Sequence, residues 1–97
     1  MTTPLSLTTG RTADGRQTLT VAGEIDVSNA AAFATALSEA SAETPPLVVD
    51  LTAVEYLDSA GLAALFDHAD HIELVAPALL EPVLTISGLA SLVTIRH

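Results

Sequence analysis

The segment LVVDLTAVEYLDSAGLAALF, residues 47–66, decides the fold because its two halves carry different periods. LVVDL is a short apolar run rich in β-branched residues and reads as a buried strand. TAVEYL reads as a short loop, and after it the pattern becomes helical, with Leu62, Leu65, Phe66 and Ala69 lining one face. Before this segment, residues 5–8 and 18–22 read as strands of a β-hairpin joined by the Gly-containing GRTADGRQ, and Gly23 breaks the pattern. GEIDVSN then leads into AAAFATALSEASAE, where Ala30, Phe33, Ala34 and Leu37 recur at helical spacing, with Ser28 or Asn29 as cap and Pro45 and Pro46 as stop.

Beyond the segment, IELVA reads as a strand closed by Pro77. A third helix over residues 79–86 buries Leu80, Val83 and Leu84, with Pro82 in its first turn and Ser87 and Gly88 ending it. LASLVTIRH holds one last short strand. Strands alternating with helices predict an α/β fold, a central mixed sheet of four to five strands packed with α-helices, over one domain at residues 1–97. In such sheets functional residues gather beyond the carboxyl ends of strands, where Asp26 and the pair Asp58-Ser59 both fall.

Charge bounds the partners. Twelve acids stand against three arginines and no lysine, a formal net charge of −9 in 97 residues. Nucleic acid and polybasic membrane contacts both need clustered cations, and Arg11, Arg16 and Arg96 lie far apart in sequence. A protein partner remains, met fastest if it carries a basic patch. With 49% hydrophobic residues, no cysteine, no signal-like N-terminus and no apolar run of about 18 residues, the chain is expected to fold in the cytoplasm without membrane insertion.

Asp58-Ser59 has a plain reading and a sharper one. A short polar side chain there caps the helix, and Gly61 lets another backbone or a ligand approach closely. The same geometry displays a serine hydroxyl, and a phosphate on it would meet free N–H groups and the positive end of the helix dipole. A nucleophilic serine is the third reading, but Leu57 replaces the first glycine of a nucleophile elbow. His68 lies about 13 Å along the helix from Ser59, and no motif supports His71 or His97 as the base. In DHADH, residues 67–71, the ligand-type spacing suits a metal, but a polar helix end with histidine at the negative pole explains it without one. No cofactor is expected.

GEIDVSNAAAF, LVVDLTAVEYLDSAGLAAL and ELVAPALLEPVLTISGLASLV, in this order, resemble the STAS domain of bacterial anti-sigma factor antagonists, from about Leu19 onward. The resemblance implies a binding switch rather than an enzyme. In that family the serine after the motif aspartate, here Ser59, is phosphorylated by a partner that is both anti-sigma factor and serine kinase, with a histidine-kinase-like ATPase domain. The unphosphorylated form binds that partner and frees a sigma factor; phosphorylation blocks binding, and a serine phosphatase restores it. The implied partner-binding residues are Asp26, Asp58, Ser59 and Gly61. Ala60 stands where Ser or Thr is frequent, which leaves Ser59 the only hydroxyl of the motif, and DHADH is shorter and less basic than the connection common in the family. Within the same fold, SAGLA also resembles the small STAS subunit of bacterial phospholipid-transport ATPase complexes.

Overall fold

The computed structural model describes residues 4–41 and 46–96. Strands β1 (Ser6–Arg11) and β2 (Gln17–Ile25) form the expected antiparallel hairpin, pairing Ser6 with Ala22 through to Arg11 with Gln17. Helix α1 (Ala30–Ser41), strand β3 (Leu47–Leu57), helix α2 (Ser59–Asp67), strand β4 (Ile72–Val75), helix α3 (Glu81–Ile86) and strand β5 (Thr94–Arg96) follow. The five strands lie side by side in chain order, and every pair after the first is parallel. Parallel neighbours need a crossover, and each of the three helices supplies one.

One face of the sheet builds the core. On β2 the buried residues alternate as Leu19, Val21, Gly23 and Ile25, while Thr20 between them is exposed. Leu19, Val21 and Ile25 join Leu47, Val49, Leu51 and Leu74 in a cluster closed by Phe33 and Leu37 of α1, Leu65 of α2 and Leu84 of α3. Helices are thus held by apolar burial on one side of a half-covered sheet. Among the described residues, no helix is long and apolar enough to cross a membrane.

Four boundaries differ from the sequence reading. Gly23 does not break the strand: β2 runs through it to Ile25, with Gly23 at φ +95° beside a register shift. TAVEYL is not a loop but the second half of β3. Thr20 opposes Asp50, Ala22 opposes Ala53 and Glu24 opposes Tyr56, so β3 gains one residue on β2 at each of two irregularities. At the first, the Asp50 carboxylate accepts from the Thr52 N–H at 2.9 Å and its hydroxyl at 2.7 Å. These bulges set the buried positions Leu51, Val54 and Leu57 three apart and hide the two-residue period of a strand. The third helix is split into a 3-10 turn, Ala78–Leu80, and α3; Leu80 and Leu84 are buried but Val83 only half so. Similarly Ala69 is buried, but in a 3-10 turn, Ala69–His71, past the end of α2. Pro45 and the expected extension of α1 through Ala42 and Glu43 lie outside the described residues.

The arginines that lie far apart in sequence converge in part. Glu73 on β4 is buried, and its carboxylate accepts from Arg16 at 2.6 Å and from Arg96 at 2.8 Å. A carboxylate at 9% side-chain exposure is tolerated there because both its oxygens are ion-paired.

Candidate partner-binding surface

The last parallel pair of β2 and β3 is Ile25 with Leu57, so Asp26 and Asp58 leave the sheet side by side. The Asp58 N–H donates to the Ile25 carbonyl at 3.1 Å and ties the two exits together. Asp58 then caps α2. Its backbone is extended, and its Oδ1 accepts from the Ala60 N–H at 3.0 Å and the Gly61 N–H at 3.3 Å. Ser59 is the first helical residue; it is exposed, and its hydroxyl has no hydrogen-bond partner among the described residues. The capping and display readings therefore coexist, on different residues: Asp58 caps and Ser59 is presented. The N–H groups expected to be free for a phosphate are not all free, because Asp58 occupies two of them.

Gly61 is buried, and the close approach it permits is to the sheet. A Cβ there would lie 2.5 Å from Leu57 Cδ1 and 2.7 Å from Ile25 Cγ2. Its missing side chain lets the first turn of α2 sit directly on the ends of β2 and β3, which fixes the height of Ser59 above Asp26.

Asp26 organises the neighbouring loop. Its carboxylate accepts from the Ser28 hydroxyl and, at 2.9 Å, from the Ser28 N–H; these bonds hold it below the usual carboxylate value. Its carbonyl accepts from the N–H groups of Asn29 at 3.1 Å and Ala30 at 2.8 Å. Neither Ser28 nor Asn29 turns its side chain forward onto the helix: Ser28 bonds Asp26, and Asn29 accepts from the Asp26 N–H at 3.0 Å while donating to the Glu24 carbonyl at 2.8 Å. Sequence reasoning weighed Asn29 only as a cap and gave Val27 no role. The Asp-x-x-Asn spacing and a lone apolar residue inside a polar turn were the available signals.

The histidines lie elsewhere. His68 closes α2, with Nδ1 at 3.0 Å from the Ala64 carbonyl and Nε2 at 3.1 Å from Ser38 Oγ on α1, so its ring is engaged at the helix end remote from Ser59. The His71 ring meets it edge-on at 5.7 Å. Among the described residues no three metal-ligating side chains gather, and His97 lies outside them.

With this geometry in view, the likenesses are coherent. A family model described as Mlab, STAS domain, matches residues 9–94. The anti-sigma-F factor antagonist RsfB of Mycobacterium tuberculosis is 47% identical over 53 residues, a match covering 54% of this chain and 43% of the relative's length. The crystal structure of an anti-sigma factor antagonist from Mycobacterium paratuberculosis superposes with a TM-score of 0.85 at 29% identity, covering 96% of this chain and 86% of that one. The unphosphorylated anti-sigma factor antagonist SpoIIAA shares the fold at a TM-score of 0.64 and 14% identity, over 95% of this chain and 89% of its own. The chain belongs to the STAS domain family, and its likenesses in sequence and fold lie with the anti-sigma factor antagonists.

Proposed function

We propose that residues 1–97 act in the cytoplasm as one STAS domain, a non-enzymatic anti-sigma factor antagonist switched by phosphorylation. Unphosphorylated, it binds an anti-sigma factor that is also a serine kinase with a histidine-kinase-like ATPase domain, and a sigma factor is released. Phosphorylation of Ser59 blocks that binding, and a serine phosphatase reverses it. The observation that carries the reading is Ser59 itself, exposed with an unengaged hydroxyl on a helix start that Asp58 has already capped. A phosphate there adds about −1.5 to −2 charge beside Asp58 and Asp26 without entering the core. Because Asp58 already takes the Ala60 and Gly61 N–H groups, the phosphate projects outward and acts on the contact face by charge and bulk. Asp26, Asp58 and Ser59 form that face, and buried Gly61 supports it from below.

The test is incubation of the chain with a purified anti-sigma-F factor and ATP, followed by mapping of the modified residue. Phosphate is expected on Ser59; Ser59→Ala keeps binding and loses phosphorylation, and Ser59→Asp binds more weakly with little change in melting. If Ser59 stays unmodified and Ser59→Asp binds like wild type, the switch is refuted. The Mlab description of the matching family favours a second reading, support of a phospholipid-transport ATPase subunit. Stable binding to that subunit, with none to the anti-sigma factor, would establish it instead.

A further inference from the structure

We propose that Val27 is the apolar anchor of the Ser59 face and that the partner meets it with an apolar pocket rimmed by Arg and Lys. This rests on the reading that the partner is an anti-sigma factor. Val27 is 82% exposed although the loop around it is held by the Asp26, Ser28 and Asn29 hydrogen bonds. An apolar side chain on an ordered support, with no role in the core, binds without first losing backbone freedom. It lies one residue beyond Asp26, as Ser59 lies one residue beyond Asp58, on chain exits joined by the Asp58 to Ile25 hydrogen bond.

Charge identifies the rim. The Ser59 end of the sheet carries Glu24, Asp26, Glu55 and Asp58 and no arginine. All three arginines belong toward the other end. Arg11 pairs with Gln17, Arg16 precedes it, and Arg96 reaches Glu73, whose backbone pairs with Val48 opposite Thr18. Gln17 is eight residues before Ile25 on β2, about 26 Å at ~3.3 Å per residue. The arginines at the other end are partly neutralised by Glu73 and Asp14, whereas the Ser59 end presents its acids with no arginine among them, so a basic partner is drawn to the face that carries Val27 and Ser59.

The experiment measures association and dissociation of a purified anti-sigma-F factor with unphosphorylated wild type, Val27→Ser, Glu55→Gln and Ile86→Ser. Ile86 is the control, since it is 86% exposed and ends α3, which leads to the start of β5 at Thr94, level with Glu73 and Val48 toward the other end of the sheet. Val27→Ser should weaken affinity about tenfold or more through faster dissociation, with an unchanged melting temperature. Wild-type association should slow about tenfold as salt is raised, and Glu55→Gln should slow association alone. Ile86→Ser should bind as wild type. If wild type binds but Val27→Ser binds equally well, or association ignores salt, the inference is overturned while the anti-sigma reading stands. If folded wild type does not bind the probe at all, that reading fails and takes this inference with it.

Discussion

Replacing Gly61 by alanine sets two effects of opposite sign against each other at the base of the Ser59 turn. Alanine is the better helix former by about 1 kcal/mol in a helix interior, and by less in a first turn. Against this, the new Cβ would lie 2.5 Å from Leu57 Cδ1 and 2.7 Å from Ile25 Cγ2. The Leu57 methyl is the end of a flexible side chain, but Ile25 Cγ2 is fixed to its own Cβ and moves only if χ1 or the strand moves. Ile25 is fully buried beneath two helices, so the strain is not relieved into solvent. Overpacking of this kind costs about 1–3 kcal/mol, and the net destabilisation is expected at about 1–2 kcal/mol. In a chain of 97 residues that lowers the melting temperature by about 5–15 °C. Urea and thermal denaturation of Gly61→Ala measure it, and repetition in an Ile25→Ala background should show the penalty shrinking, since the two atoms are neighbours. A Gly61→Ala protein as stable as wild type would refute the close packing of α2 on the sheet.

Two further outcomes follow from the charged groups. Glu73→Gln should lower stability in urea by about 1–3 kcal/mol through lost charge-assisted bonds to Arg16 and Arg96; unchanged stability would mean that desolvation of Glu73 cancels both pairs. Asp26 is held below its reference value of 3.8 by the Ser28 hydroxyl and N–H, so the stability it supplies is complete above that value and lost as acid carries it through its lower folded value. Thermal melts of wild type and Asp26→Asn should therefore differ most near neutrality and converge in strong acid. A gap that persists in strong acid would refute the assignment.

The sequence showed the elements clearly where one physical signal dominated. The β-branched run LVVDL, the helical apolar spacing in α1 and α2 and the Pro77 stop all reappear in the structure. That Asp26, Asp58 and Ser59 lie together beyond strand ends was legible because each closely follows a strand of an α/β sheet. What stayed hidden depends on pairing between distant segments. The length of β3 is set by bulges against β2, so TAVEYL resembled a loop. Glu73 looked like an ordinary polar strand residue until folding brought Arg16 and Arg96 onto it. Likewise Gly61 could be read as open space for a ligand, because nothing in its neighbours along the chain reveals that Ile25 fills that space.

The two bulges of β3 also bear on how the chain tolerates changes of length. Side chains on a regular strand alternate faces, but each bulge sets two exposed residues, Thr52 and Ala53 or Glu55 and Tyr56, between buried ones, so Leu51, Val54 and Leu57 all face the core. Substitutions at the exposed positions Thr52, Ala53 and Glu55 should be absorbed readily. Deleting one residue from a bulge should straighten it rather than reverse the faces, because Leu51, Val54 and Leu57 would still alternate with exposed residues. Deleting one residue from each bulge should leave β3 regular, with Leu57 still opposite Ile25 and Asp58-Ser59 still beside Asp26. The stretch between Asp50 and Asp58 thus carries two residues of slack, and what holds Ser59 in place is the pairing of Leu57 with Ile25 rather than the count of residues before it.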